Sequence, residues 1–111
     1  MLSHKGRRRK GHDWEREVAK RIRKIDPSAK RLLEYQEGKG IDIDTKLPFA
    51  IQCKCQKRVN FLKALEEAGE MAEKLDKFPI VVAKVMRKGE FVFMEWETFD
   101  FLLRRLKNGG F

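Results

Sequence analysis

The sequence is poor in the features that define several large classes of protein. It has two cysteines in 111 residues, and they lie one residue apart, at Cys53 and Cys55. Side chains two positions apart in an extended segment run parallel, so this pair is poorly placed to form a disulfide bond. The longest apolar run, near Pro79 to Val85, is far shorter than the ~18 residues of a membrane-spanning helix. These shortages argue against a disulfide-stabilised domain and against a membrane protein.

Acidic residues are outnumbered by basic ones, and this balance of charge points to a polyanionic partner. The chain carries 26 basic and 17 acidic residues, a formal net charge of +9. Such an excess is typical of proteins that bind nucleic acid, because lysine and arginine displace the counterions of phosphates. We interpret residues 1–12 as a basic flexible arm without an apolar signal region, and we expect a cytoplasmic protein. The arm supplies four predicted DNA-binding residues: Arg7, Arg8, Arg9 and Lys10.

The remaining residues, 13–111, have the length and patterning of a single α/β domain. Apolar residues recur at helical spacing over about 13–25, 60–77 and 98–107, and strand-like segments lie at 31–36, 40–43, 47–55, 80–86 and 90–96. The order α-β-β-β-α-β-β-α predicts a central mixed β-sheet flanked by helices. We expect Asp13 to begin the first helix and Thr98 to cap the last.

Several finer expectations follow from the same patterns. Both tryptophans, Trp14 and Trp96, are assigned to the core, and the last helix is expected to bury Phe99, Leu102, Leu103 and Leu106. The acidic side of the second helix, with Glu66, Glu67, Glu70 and Glu73, is interpreted as a solvated surface. Phe61 and Leu62 open that helix and serve either core packing or a subunit interface, which the sequence does not separate.

The most informative stretch is a predicted hairpin in which polar residues interrupt apolar strands. Gly40-Ile41-Asp42-Ile43-Asp44 is followed after a turn by Phe49-Ala50-Ile51-Gln52-Cys53-Lys54. Alternation along a strand puts Gln52 and Lys54 on one face, whereas Ile51, Cys53 and Cys55 point to the core. In a hairpin, Asp42 lies beside that polar pair. Oxygen ligands beside an ammonium group suit phosphodiester hydrolysis assisted by Mg²⁺, although the same residues also fit a solvated turn and strand.

These motifs resemble those of a nuclease family. The arrangement Asp42…Gln52-Cys53-Lys54 after an N-terminal helix resembles the PD-(D/E)xK nuclease superfamily. Arg9-Lys10-Gly11 followed by Glu15-Arg16-Glu17 resembles the opening of archaeal-type Holliday junction resolvases, and the likeness continues through the second helix and the strand from Phe78 to Ala83. The resemblance implies a restriction-endonuclease-like core and a Mg²⁺-dependent endonuclease, with Mn²⁺ as a substitute.

The resemblance also assigns roles to residues. It makes Glu15 a third metal-site acid and Arg16 a phosphate-contacting residue needed for activity. Asp42, Gln52 and the backbone carbonyl of Cys53 complete the metal site, and Lys54 orients water or stabilises negative charge. The family's usual glutamate is Gln52 here, so Asp44 or Glu37 is a candidate for the missing charge. By helix geometry, Glu17 points away toward Arg21 and is expected to form an ordinary surface ion pair.

The function implied is cleavage of four-way DNA junctions by paired symmetric nicks. Two nicks require two active sites, so we expect a homodimer that matches the two-fold symmetry of the junction. Lys57 and Arg58, just beyond the catalytic strand, are candidates for contacts to flanking phosphates. Two alternatives stay open: a nuclease of the same kind that acts on other branched or duplex DNA, and a basic DNA-binding protein without catalytic activity.

Overall fold

The protein folds as a five-stranded mixed sheet with helices on both faces. The computed structural model describes residues 4–33 and 40–109, and the side chains of residues 6, 9–33 and 40–109. In chain order the elements are α1 (His4–Ile22), β1 (Lys30–Arg31), β2 (Ile43–Asp44), β3 (Phe49–Gln56), α2 (Phe61–Leu75), β4 (Phe78–Val85), β5 (Gly89–Met94) and α3 (Trp96–Lys107). The predicted order of helices and strands and the mixed sheet are confirmed.

The strands follow one another across the sheet in the order β1-β2-β3-β4-β5. Neighbouring strands are antiparallel except β3 and β4, which are parallel and have Gln52 opposite Val81. A parallel pair needs a crossover connection, and α2 provides it. No helix in the described parts of the chain is long and apolar enough to cross a membrane.

The first helix covers one face of the sheet. Trp14 and Val18 of α1 pack with Ile43, Ile51 and Cys53 in a buried cluster. The indole of Trp14 is 4% exposed, and its Nε1 donates a hydrogen bond to the carbonyl oxygen of Val82 at 3.1 Å. This bond satisfies the buried polar atom and fixes α1 against the centre of the sheet.

The second helix covers the opposite face. Its start is capped by Asn60, whose side chain accepts a hydrogen bond from the backbone N–H of Lys63, and it ends at Asp76 in a left-handed conformation. Three alanines of α2, Ala64, Ala68 and Ala72, are at most 2% exposed. Their small side chains let the helix backbone lie close to β3 and β4.

Some expectations about the ends of the chain are wrong. The first helix begins at His4, so Asp13 lies inside α1 and pairs with Arg16, three residues on, instead of capping the helix. Residues 4–12 belong to the same helix, to which lysine and arginine contribute as good helix formers. Part of the predicted strand 31–36 lies outside the described residues.

The last helix also differs from the prediction. Its N-cap is Glu95, and Thr98 lies inside the first turn, where it is buried. Leu102 is half-buried, but three expected core residues are exposed: Phe99, Leu103 and Leu106. Trp96 is 70% exposed, so its assignment to the core is wrong. The α3 helix has two apolar stripes, and the sequence does not say which one meets the sheet.

Candidate active site

The central strand β3 places Gln52 and Lys54 on the face that α2 covers. Gln52 is buried and Lys54 half-buried, and both contact Glu67 of α2. The intervening residues Ile51 and Cys53 lie in the cluster under α1. The predicted separation of polar and apolar faces along this strand is confirmed.

Asp42 lies beside this pair, on the segment that leads into β2. Its backbone N–H donates to the carbonyl oxygen of Ile51, and its Oδ2 accepts a hydrogen bond from the backbone N–H of Cys53 at 2.7 Å. Burial raises the pKa of Asp42, although the hydrogen bond from Cys53 and the charges of Lys54 and Arg31 act to lower it. The structure therefore brings Asp42 together with Gln52 and Lys54, as the hairpin predicted.

Glu67 is the residue of this site that the sequence interpretation missed. Its Oε2 accepts a hydrogen bond from Nε2 of Gln52 at 2.8 Å and lies 3.7 Å from Nζ of Lys54. Its negative charge also acts to raise the pKa of Asp42, so the two carboxylates are neighbours. The Glu67 side chain is 40% exposed, in line with its interpretation as a solvated residue, but its contacts with β3 were not predicted. Helical periodicity gave one signal, since Glu67 lies three residues after Ala64 and one before Ala68, next to the buried stripe.

Glu15 is held by an arginine that was not among the predicted site residues. Nε of Arg31 in β1 lies 3.2 Å from Oε1 of Glu15, and each side chain is 17% exposed. The charge of Arg31 also acts to lower the pKa of Asp42. The positive charge of Arg31 therefore acts on both Glu15 and Asp42. Burial raises the pKa of the Cys53 thiol, and the negative charges of Asp42 and Glu15 raise it further. Cys53 is a buried thiol in its neutral form.

The donor atoms fit a hard divalent cation. Oε1 of Gln52 is buried and has no hydrogen-bond partner among the described residues, so an amide oxygen is left as an unsatisfied acceptor. Carboxylate and amide oxygens are the ligands that Mg²⁺ prefers, and Asp42, Gln52 and Glu67 supply them. Among residues 4–33 and 40–109, no group of three His, Cys, Asp or Glu side chains could hold a metal ion, so an all-acidic site is not what these residues form. Glu37 lies outside the described residues.

The other predicted site residues are placed as follows. Asp44 is exposed at the end of β2, opposite Lys30, and its carboxylate has no contact with Gln52 or Lys54 in the described structure. Arg16 is exposed on α1 and pairs with Asp13. Lys57 and Arg58 are exposed directly after β3, and Arg9 and Lys10 are exposed or nearly so on α1. The side chains of Arg7 and Arg8 lie outside the described part. Glu17 pairs with Arg21, as expected.

A groove of about 480 Å³ lies on the other side of the sheet, between α1 and the strands β3 to β5. Three basic and three acidic side chains line it: Lys10, Arg21, Lys84, Asp13, Glu17 and Glu90. Four of them are already engaged: Arg21 binds both oxygens of Glu90 at 2.7 and 3.1 Å and also pairs with Glu17, and Asp13 pairs with Arg16. Balanced, paired charges make a poor binding site for an anion.

Comparisons with known proteins add no family to this geometry. No model of a known protein family matches the chain, and no curated protein is significantly similar to it.

Proposed function

We propose that this chain is a metal-dependent endonuclease that resolves four-way DNA junctions, built on a restriction-endonuclease-like core. The observation that carries the proposal is the convergence of Asp42, Gln52 and Lys54 from one hairpin, joined by Glu67 from α2. A carboxylate, an amide oxygen and an ammonium group at one point of a sheet suit the hydrolysis of a phosphodiester bond.

Each residue has a part in this chemistry. A bound Mg²⁺ would polarise the phosphate and lower the pKa of a coordinated water. Asp42 and Gln52 would hold the cation with the backbone carbonyl of Cys53, and Glu15, which is paired with Arg31, would be a second acid of the metal site. Lys54 would stabilise the negative charge that develops on the phosphate, and Arg16 would contact a neighbouring phosphate.

The substrate class rests on charge. The carboxylates of Asp42 and Glu67 lie near the ammonium group of Lys54, and Arg31 is paired with Glu15, so this part of a strongly basic chain favours a cation. The basic side chains lie elsewhere, with Lys57 and Arg58 directly after β3 and Arg9 and Lys10 on α1. Such a separation suits a DNA backbone held by the basic surface and a metal ion held at the site.

The proposed active form is a homodimer, and the exposed stripe of α3 is the surface we assign to the second copy. Trp96, Phe99, Leu103 and Leu106 recur at the three- and four-residue spacing of a helix–helix seam and are 42–72% exposed. Acidic residues occupy the first half of this segment (Glu95, Glu97 and Asp100), and basic residues the second half (Arg104, Arg105 and Lys107). Two copies packed antiparallel across a two-fold axis would therefore bring opposite charges together.

A cleavage assay tests the proposal. The protein is incubated with Mg²⁺ and a four-way junction whose strands are labelled one at a time, and with linear duplexes of the same sequences. We expect paired nicks at symmetric positions in the junction and little cutting of the duplexes. Equal cutting of junction and duplex would favour the alternative of a nuclease with another DNA substrate.

A second candidate, a DNA-binding protein without activity, is favoured by one observation. Gln52 stands where related nucleases have a glutamate, and a neutral residue binds Mg²⁺ more weakly. Under this alternative the chain binds the junction but cuts neither substrate in Mg²⁺ or in Mn²⁺.

A further inference from the structure

Gln52 is neutral where the resembling nucleases have a glutamate, and another carboxylate lies next to it. We propose that Glu67 of α2 is a metal-binding residue that supplies the negative charge which Gln52 lacks, so that Asp42, Gln52 and Glu67 together bind one divalent cation. The inference rests on the proposed function for its cleavage role, but its central claim, cation binding, is tested separately.

The carboxylate of Glu67 contacts the side chains of Gln52 and Lys54, and the Glu67 side chain is 40% exposed. Its Oε2 is 2.8 Å from Nε2 of Gln52 and 3.7 Å from Nζ of Lys54. Because Gln52 donates through Nε2, its Oε1 is left as a buried acceptor without a partner among the described residues. A cation between Oε1 and the nearby carboxylates would satisfy this atom, which no side-chain donor on the described elements does.

Electrostatics favour the same conclusion. Asp42 is half-buried, and Glu67 is close enough for its charge to act on Asp42. Two neighbouring carboxylates disfavour each other's charged form, and the charges that oppose this effect at Asp42 come from Lys54 and from Arg31, which also pairs with Glu15. A divalent cation would stabilise both carboxylates, and this is the usual reason for close carboxylates at a hydrolytic site.

Other acids of α2 provide a comparison. Glu66 and Glu70 are exposed on the same helix, on either side of Glu67 in the sequence. Neither has a hydrogen bond or ion pair with β3 in the described structure. Glu67 differs because it lies beside the buried alanine stripe, and those alanines let α2 approach β3 closely enough for its carboxylate to reach Gln52.

The first experiment measures Mn²⁺ binding to the purified protein without DNA, by titration calorimetry. Glu67→Gln keeps the size of the side chain but removes its charge. We expect it to weaken Mn²⁺ binding about tenfold or more, within the range commonly seen when a metal site loses a supporting group. Glu66→Gln and Glu70→Gln remove the same charge from the same helix and are expected to bind Mn²⁺ like the wild type.

The second experiment moves the charge. The double variant Gln52→Glu, Glu67→Gln places the carboxylate on β3 and the amide on α2. We expect it to regain most of the Mn²⁺ affinity that Glu67→Gln loses, and to keep the melting temperature of the wild type. This variant also decides the question if Glu67→Gln alone fails to fold.

Three outcomes would overturn the inference: wild-type protein that binds no Mn²⁺ at millimolar concentration, unchanged binding by Glu67→Gln, or no recovery in a folded double variant. The proposed function is decided separately by junction cleavage. Wild-type protein that cuts junctions while Glu67→Gln binds Mn²⁺ and cuts equally well would refute the role of Glu67 alone. Wild-type protein that binds Mn²⁺ through Glu67 but cuts no DNA would refute the nuclease alone.

Discussion

Gly40 lies so close to α2 that a Cβ atom built on it would stand 2.1 Å from the backbone carbonyl oxygen of Glu67. The backbone of Gly40 also has φ of +90°, which disfavours any residue with a side chain. The segment that leads to Asp42 is therefore seated directly against the turn of α2 that carries Glu67. This contact makes the two carboxylates of the candidate site neighbours.

Substitution of Gly40 is expected to affect both stability and the site. Gly40→Ala should lower the free energy of unfolding by more than about 1 kcal/mol, because the new methyl group meets backbone atoms that cannot move aside cheaply. It should also weaken Mn²⁺ binding by pushing Asp42 away from α2. Chemical denaturation and calorimetry measure the two effects.

Gly69→Ala is the control for this change. Gly69 lies in α2 only two residues from Glu67, but a Cβ atom there would meet nothing within 4 Å. Because alanine is a better helix former, this variant should be as stable as the wild type or more so, by up to about 1 kcal/mol. A Gly40→Ala protein that unfolds like Gly69→Ala would contradict the tight contact.

The turn between α1 and β1 contains a carboxylate that is almost fully satisfied. Oδ1 of Asp26 accepts hydrogen bonds from the backbone N–H and the hydroxyl of Ser28, and Oδ2 accepts from the hydroxyl of Thr45 and the backbone N–H of Lys46. These donors hold the pKa of Asp26 far below its ordinary value of 3.8. The bonds tie the end of α1 to the β2–β3 turn.

The stability of the protein should therefore fall in acid through Asp26. A carboxylate whose pKa is lowered by folding stabilises the protein above its unfolded pKa, and this contribution is lost as the pH falls below about 3.8 toward the folded pKa. Asp26→Asn should be less stable than the wild type at about pH 6, and the difference should shrink at about pH 3. Thermal unfolding across this range measures it.

Asp100→Asn serves as the matched control for Asp26→Asn. Asp100 forms an ion pair with Arg104 on the surface of α3, with the arginine side chain 76% exposed. Exposed pairs of this type contribute only ~0.3–0.5 kcal/mol. If Asp100→Asn costs as much stability at about pH 6 as Asp26→Asn, the special role of Asp26 is refuted.

The catalytic assignment predicts a separation of cleavage from binding. Lys54→Ala and Asp42→Asn should each lower junction cleavage at least ~100-fold, because each removes a group that acts on the reacting phosphate or holds the cation. Junction binding, measured by a gel-shift assay, should change little, since the basic surface lies elsewhere. Lys84→Ala is the control: Lys84 lies on the neighbouring strand β4 but over the ring of Trp14, on the α1 face. Cleavage that survives in Lys54→Ala would contradict the assignment.

The dimer surface is tested with two leucines of nearly equal exposure. Leu106 of α3 is 72% exposed and Leu62 of α2 is 69% exposed. Leu106→Gln should shift the protein from a dimer toward a monomer of 13.1 kDa in analytical ultracentrifugation, because it makes the seam polar. Leu62→Gln should leave the dimer intact. The reverse result would move the interface to the start of α2, the position that the sequence left open.

Much of the site could be predicted from the sequence because its pattern is local. The alternation along β3 fixed which residues face each side, so Gln52 and Lys54 share a face and Cys53 lies opposite. The position of Asp42 beside β3 followed from hairpin geometry, because a hairpin brings residues that are close in the chain into register. The i, i+4 pair of Glu17 and Arg21 followed from helical spacing alone.

Other parts of the site and fold could not be predicted from the sequence. The surface of α2 carries several glutamates, and only the docking of the helix on β3 selects Glu67 for the site. The partner of Glu15 was missed for a similar reason, since Arg31 meets it only when β1 lies beside α1. The apolar residues of α3 predicted a helix, but their periodicity fits two stripes and does not indicate which one is buried.

Local sequence patterns suffice to predict the order of helices and strands, the polar and apolar faces of β3 and the basic character of the chain. These properties depend on backbone geometry and composition, which act over a few residues. The tertiary structure alone decided that Glu67 meets Gln52 and Lys54, that Arg31 pairs with Glu15, and that one stripe of α3 faces outward. Those contacts join residues distant in the chain, and they depend on how whole elements pack against the sheet.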